Sequence, residues 1–322
     1  MSTGRKRNPK RDVHGWLVLD KPTGMTSNAA LAAVKRFYRP KKAGHAGTLD
    51  PLATGMLPIA FGEATKTVPF VMDGRKVYRF TVDWGTQTDT DDSEGTPVAH
   101  SDLRPDEAAI RDALPAFRGT IDQVPPQFSA LKINGERAYD LARDGEMVAL
   151  DARPVTLHRL DLVDCPNADQ AIFEAECGKG TYVRSLARDI GLALGTRGHV
   201  SALRRLLVGP FGEEAMISLE KINSLAHSAP REEDLALLLH PVETALDDIP
   251  ALAINRTEAA RLRRGQPILL RGRDAPSVSG PTCVMSAGAL VAIGEIDRGE
   301  LRPKRVFNLP DVSSHRADLQ ED

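Results

Sequence analysis

Gly44-His45-Ala46-Gly47-Thr48-Leu49-Asp50-Pro51-Leu52-Ala53-Thr54-Gly55-Met56-Leu57-Pro58 sets three glycines, two prolines and one carboxylate into fifteen residues. So much punctuation rules out an uninterrupted helix or strand and predicts a shaped loop. Pro51 biases Asp50 away from the helical region, while Gly47 and Gly55 allow turns and close backbone approach. One acid is thus presented from a stiff turn. An Asp-Pro pair alone is ordinary turn chemistry, so the surrounding chain must decide what Asp50 does.

Upstream, Trp16 to Asp20 reads as a short buried strand, Lys21 to Ser27 as a turn and cap, and Leu31, Val34 and Phe37 or Tyr38 as the apolar side of a helix. Downstream, Met56 to Phe61 is a second apolar strand, followed by a short helix from Glu63 that ends near Gly74. The stretch from Lys76 to Asp83 alternates, which puts Tyr78, Phe80 and Val82 on one face of a strand. Residues 105 to 117 predict an amphipathic helix with Pro105 at its first position. Two strands are expected around Val155 to Leu162 and Ala171 to Cys177, the second with Phe173, Ala175 and Cys177 inward. Gly178 to Leu186 leads into a helix whose apolar side is Val183, Leu186, Ile190 and Leu194. Arg184 falls in its first turn, where the helix dipole disfavours a cation, so a partner should neutralise it. A partly buried Asp50 would in turn require a bidentate cation. Beyond Phe211 a polar stretch runs to about Pro250. The last seventy or so residues then predict a small β-domain: a basic helix capped by Thr257 and stopped by Gly265, and strands around Ile268, Cys283 to Met285, Leu290 to Ile296 and Val306.

The 322 residues, 41% hydrophobic and 27% charged, suit a soluble globular chain of a large and a smaller domain, and no apolar run reaches the length of a membrane span. The net charge of −2 hides an asymmetry: the first fifty residues hold eleven Lys and Arg against three acids, leaving 31 bases and 41 acids for the rest. A basic front on an acidic body suits a polyanion touching one side. Arg5, Lys6, Arg7, Lys10 and Arg11 fit a solubilising arm as well as an RNA contact. Cys165, Cys177 and Cys283 are too far apart for a zinc or disulfide framework and predict small buried side chains in a reducing cytoplasm. The N-terminus lacks the apolar segment of a secretory signal. Asp89, Asp91, Asp92 and Glu94 invite a metal reading, but without the spacing of an EF-hand loop.

From Gly44 to Gly55 the loop resembles the catalytic motif of the TruB family of pseudouridine synthases: Gly-His, then Gly-x-Leu-Asp-Pro, then Ala-Thr-Gly. Asp20-Lys21-Pro22-x-Gly24-x-Thr26-Ser27 resembles the family's first motif, Lys76-x-Tyr78-x-Phe80 its tyrosine motif and Gly178 to Leu186 its third, while His199 to Phe211 resembles the segment after that. Residues from Gln123 to Gly145 resemble the mobile segment that closes over RNA, and the C-terminal strands resemble, less specifically, a PUA-like domain. The resemblance covers most of residues 15 to 310 and implies an α+β (mixed α/β) fold: a catalytic domain on a mixed, mostly antiparallel sheet with flanking helices, plus a small C-terminal β-rich PUA-like domain. The implied bounds are a disordered basic arm at 1–12, a catalytic domain at 13–248 with an insert about 123–145, the PUA-like domain at 249–310 and a disordered tail at 311–322.

The implied activity is isomerisation of the T-loop uridine at position 55 of tRNA in the cytoplasm, with no cofactor or metal, by a monomer without an obligate protein partner. Asp50 is then the acting carboxylate; attack at C1′ of the ribose, attack at C6 of the base and assistance to glycal formation are all open to it. Arg184 is its partner, and Tyr78 stacks on the uracil and is a candidate to help remove the C5 proton. The RNA-binding residues are His45 near the vacated stack, Lys21, Lys66, Tyr182, Leu203 and Arg204, with Arg205 also directed toward RNA; Lys66 fits a solvated helix residue equally, and Leu203 is more safely read as core. Rival readings are a non-catalytic RNA-binding module on the same scaffold, a guide-RNA-dependent relative, and an aspartate hydrolase, which would need a second acid or a metal.

Overall fold

The computed structural model describes residues 9–129, 132–133, 136–137, 150–227, 232–270 and 280–309. Residues 1–8 of the expected arm, most of the insert about 123–145 and the expected tail lie outside the described residues. Among the described residues, no helix is long and apolar enough to cross a membrane.

The large sheet is built from β1 (Gly15–Lys21), β2 (Ala43–His45), β3 (Thr54–Phe61), β4 (Lys76–Trp84), β5 (Gly119–Gln123), β6 (Arg153–Asn167), β7 (Gln170–Cys177), β8 (Gly198–Val208) and β9 (Ile217–Ser218). Its order is β9-β1-β3-β8-β4-β7-β6-β5, with β2 added on β3. Only β1–β9 and β3–β8 are parallel; the other pairs are antiparallel. The mixed, mostly antiparallel sheet expected from the sequence is therefore present.

The helices begin and end where local chemistry allows. Helix α1 (Ser27–Tyr38) is capped by Thr26, whose Oγ1 accepts from the Ala29 amide at 3.1 Å, and it ends at Arg39 in the left-handed region. A 3₁₀ turn (Gly62–Lys66) leads into α2 (Val68–Asp73). In α3 (Glu107–Ala113) the cap is Asp106, which accepts from the Ala109 amide at 2.8 Å. Pro105 therefore stands just outside the helix rather than at its first position, because a side-chain acceptor one residue later captures the free amides. Helix α4 (Val183–Ala193) buries Val183, Leu186 and Ile190 against β8 and β4, as its apolar spacing requires.

One core lies on the α1 and α4 face of the sheet, where Leu57, Ile59, Phe61, Phe80, Val82, Phe173, Leu186 and Ile190 meet. Phe80 and Phe173 are cross-strand partners with ring centroids 5.4 Å apart. Removing the Phe173 ring (Phe173→Ala) would cost about 3–5 kcal/mol, from lost transfer energy plus the cavity.

The C-terminal sheet comprises β10 (Ala251–Ala253), β11 (Ile268–Leu269), β12 (Gly280–Ser286), β13 (Ala289–Asp297) and β14 (Glu300–Val306), in the order β10-β12-β13-β14-β11. Helix α5 (Arg256–Arg263) packs on it through Ala259 and Leu262. Its cap is Asn255, in a reciprocal capping box with Glu258, and not Thr257; Asn at this position satisfies the free amide and Glu258 returns the bond. Cys283, Leu290, Ile293 and Phe307 join Trp16, Val18, Met56 and Phe211 in one cluster, so the small sheet docks on the face of the large one opposite α1. Lys66 and Glu63 fasten the junction, Nζ donating to the Val306 carbonyl at 2.7 Å and Oε2 accepting from the Asn308 amide at 2.8 Å.

Candidate active site

The loop between β2 and β3 is gripped from three sides. Ser27 Oγ donates to the Leu49 carbonyl at 2.9 Å and accepts from the Leu49 amide at 2.8 Å. Buried Lys21 donates to the carbonyls of Pro22, Met25 and Pro51 at 2.9, 2.7 and 3.4 Å. From below, Arg205 Nε donates to the Met56 carbonyl at 2.7 Å and Nη2 to the Gly47 carbonyl at 3.0 Å. Glycine is required twice. Gly47 has φ +97°, and at Gly55, φ +92°, an added Cβ would sit 2.4 Å from the Arg205 carbonyl across the parallel β3–β8 pairing. Asp50 rides at the crest, its carbonyl accepting from the Ala53 amide at 3.1 Å and its side chain 38% exposed.

Arg184, 7% exposed, reaches Asp50 Oδ2 through Nε at 3.0 Å. The expected bidentate fork is absent, because the rest of the guanidinium is engaged elsewhere. Nη1 donates to the Thr90 carbonyl at 2.9 Å and faces Asp92 Oδ2 at 3.4 Å, and Nη2 donates to the Phe128 carbonyl at 2.9 Å. Arg184 is thus shared between a half-exposed acid and a buried one. Asp92 is further fixed by Thr90 Oγ1 at 2.6 Å and the Glu94 amide at 3.0 Å. Next to it Asp91, at φ 58°, meets Arg188 Nη1 at 2.9 Å. Burial pushes the Asp91 carboxyl up to about 6, against the pull of Arg188. The acidic loop therefore seats two arginines of α4, a role hidden in the sequence because an acid run between turn residues looks like a solvated loop.

Tyr78 is half-buried on β4, with Phe80 and Val82 on the same core-facing side. Burial raises the phenol above its ordinary range, and the nearby Arg205 charge pulls in the opposite direction. Asp50 is close enough to Lys21, Tyr78 and Tyr182 to influence the ionisation of each. Tyr182 precedes α4, where its backbone exchanges two bonds with the Gln123 side chain at 2.8 and 3.1 Å. His45 lies on β2 beside this group; burial and then Arg205 push its imidazole below the ordinary value, and its Nδ1 is buried without a hydrogen-bond partner among the described residues.

The remaining expected residues fall elsewhere. Leu203 belongs to the core and is 8% exposed. Arg204 points to the face opposite Arg205 and grips Asp20 with both Nη atoms, at 2.9 and 3.0 Å. A hollow of about 370 Å³ beside it is lined by Thr54, Arg79, Thr81 and Arg204, and none of Asp50, Tyr78 and Arg184 borders it. Lys66 is held by Glu63 at 2.6 Å and by the small sheet, away from Asp50. Arg205, expected toward RNA, is only 2% exposed.

Three consecutive family models match the chain: residues 35–183 the N-terminal domain of the TruB family pseudouridylate synthases, 184–247 the tRNA pseudouridylate synthase B C-terminal domain, and 250–307 the C-terminal segment of pseudouridine synthase II TruB. A Bradyrhizobium diazoefficiens protein named tRNA pseudouridine synthase B is 64% identical over 309 residues, covering 96% of this chain and 90% of that one. An Agrobacterium fabrum protein of the same name is 58% identical over 95% of this chain and its own full length. Among solved structures, an H/ACA RNP bound to a substrate RNA containing 2′-deoxyuridine includes a chain that aligns over 92% of this one and 86% of its own length, with a TM-score of 0.72 at 25% identity. A Cbf5-Nop10-Gar1 complex gives a TM-score of 0.70 at 26% identity, over 92% of this chain and 85% of that one. The likeness in sequence and in fold spans both sheets and includes the Asp50 loop, and the chain belongs to the TruB family of pseudouridine synthases.

Proposed function

We propose that this protein converts the T-loop uridine at position 55 of tRNA to pseudouridine, with Asp50 as the acting carboxylate. The observation that carries the reading is the Asp50–Arg184 contact of 3.0 Å, on a loop fixed by Lys21, Ser27 and Arg205 and beside Tyr78. Relatives alike over nearly the whole chain are named tRNA pseudouridine synthase B, which supports a tRNA substrate over a guide-dependent one.

The chemistry suits these residues. The target uridine must leave its stack, at a cost of a few kcal/mol that RNA contacts offset. Arg184 orients the Asp50 carboxylate. Tyr78 offers an aromatic face to the uracil and a hydroxyl near the reacting carbons. The N1–C1′ bond breaks, the base rotates, and C5 bonds to C1′ of the ribose, the proton lost from C5 being balanced by one gained at N1. Asp92, the other acid on Arg184, is buried and fully bonded, so it does not serve as the second carboxylate of a hydrolase. The C-terminal sheet with its basic helix α5 holds the tRNA at a distance from Asp50.

The test is incubation of the pure protein with an unmodified tRNA transcript and with the same transcript carrying cytidine at position 55. Pseudouridine at 55 in intact RNA, from the first transcript alone, is the expected result. Strand cleavage, or RNA bound but never converted, would sink the reading.

A further inference from the structure

Arg205 is a buried guanidinium with no acid paired to it among the described residues. Its Nε takes the Met56 carbonyl at 2.7 Å, Nη2 the Gly47 carbonyl at 3.0 Å and Nη1 the Thr48 carbonyl at 3.5 Å. It depresses the basicity of Lys21, His45 and Lys76, although burial is the larger cause in all three. Arginine does not yield its proton, so Arg205 adds a second permanent positive charge to the site beside that of Arg184. Burying a cation against carbonyls alone is costly, and an apolar side chain would fill the space at lower cost.

Its bonds suggest what it is kept for. Gly47 and Met56 are the two ends of the loop that presents Asp50, and one planar group joins them. Across the antiparallel pairing Arg205 stands directly opposite Tyr78 on β4, with both side chains on one face and the guanidinium close enough to influence the ionisation of the phenol. Gly47 leaves room for this: a Cβ there would lie 3.3 Å from Nη1.

We propose that Arg205 is a positioning residue of the isomerisation: its guanidinium staples both ends of the Asp50 loop together directly across from Tyr78, fixing carboxylate and phenol relative to one another and keeping positive charge near the phenol. The inference rests on the reading of the chain as a tRNA uridine isomerase, and deepens it. Lysine at 205 keeps the charge but cannot span both loop ends; methionine loses both. The groups that act on the phenol besides Arg205 are Cys177 and Asp50, and both persist in the variants.

The experiment compares wild type, Arg205→Lys and Arg205→Met for single-turnover conversion at saturating tRNA, for tRNA affinity, and for ionisation of a fluorinated tyrosine at 78 followed by ¹⁹F NMR. Arg205→Lys should convert roughly ten- to a hundredfold more slowly with affinity held within about threefold and the phenol midpoint unmoved. Arg205→Met should be slower still, with the midpoint raised. Folded variants with wild-type rates, or rate and affinity falling in equal proportion with the midpoint fixed, would overturn the proposal. If neither variant folds, the ¹⁵N signal of Arg205 Nε decides: slow proton exchange and a shift on Tyr78→Phe support the staple, and fast exchange with no response refutes it. A wild type that makes no pseudouridine would instead sink the reading of the site and leave the NMR result standing.

Discussion

On one face of the large sheet, Arg79 and Arg159 share Glu174 at 2.9 and 2.5 Å, with the arginine side chains 52% and 43% exposed. On the other, Arg184 and Arg205 are buried and are held largely by backbone carbonyls. The two faces belong to the same strands: Arg79 pairs with Glu174, and one residue earlier Tyr78 pairs with Ala175. Water screens the first set, so each pair contributes about 0.2–1 kcal/mol and can be lost cheaply. The second set is desolvated, expensive and gathered around the loop that carries one half-exposed carboxylate. Position relative to water, more than the number of charges, separates a face of screened ion pairs from the face on which Asp50 is proposed to act.

That contrast can be broken by substitution. Tyr78→Phe keeps the aromatic face and discards the hydroxyl, so conversion at saturating tRNA should fall about 10³-fold with tRNA affinity nearly unchanged, whereas Tyr78→Leu should lose both; single-turnover rates and filter binding check this. Arg184→Lys keeps a charge but cannot serve Asp50, Asp92 and two carbonyls together, and a loss of roughly 10²-fold in the same assay is expected.

A smaller effect concerns stability. Asp91 titrates near 6 in the fold against an ordinary 3.8. A carboxyl raised in this way contributes stability below the unfolded value, and the contribution disappears as pH rises through about 6. Between pH 4 and 7 wild type should therefore lose on the order of 1–3 kcal/mol relative to Asp91→Asn, as read from urea unfolding at the two pH values. A constant gap would mean that Arg188 fully compensates the buried charge. Smallest of all, Glu174→Gln should change stability by about 1 kcal/mol or less and leave conversion untouched; a slowed reaction would show that the two faces are not independent.

The elements of the catalytic sheet were legible where one signal acted alone. The glycines and prolines around Asp50 announced a loop, strict alternation exposed β4 and β7, and the helical spacing after Gly180 announced α4 with Arg184 in its first turn. What escaped depended on distant partners. Arg204 and Arg205 are neighbours of one type, and only the alternation of β8, blurred by register shifts after Val200 and Arg205, sends one to Asp20 and the other beneath the loop. Asp92 acquires its meaning from Arg184, 92 positions later, and Lys66 from Val306 in the other sheet. Caps shifted by one or two residues, at Asp106 and Asn255, because neighbouring polar residues compete for the same free amides.

The central claim is that the buried face exists to hold one working carboxylate. Asp50→Asn preserves size and shape, removes the charge, and leaves Arg184 its contact with Asp92 and its carbonyl partners. Measuring tRNA affinity and pseudouridine formation side by side on this variant should give a folded protein that binds tRNA as wild type does and forms essentially no pseudouridine. Conversion at a near wild-type rate would contradict the account.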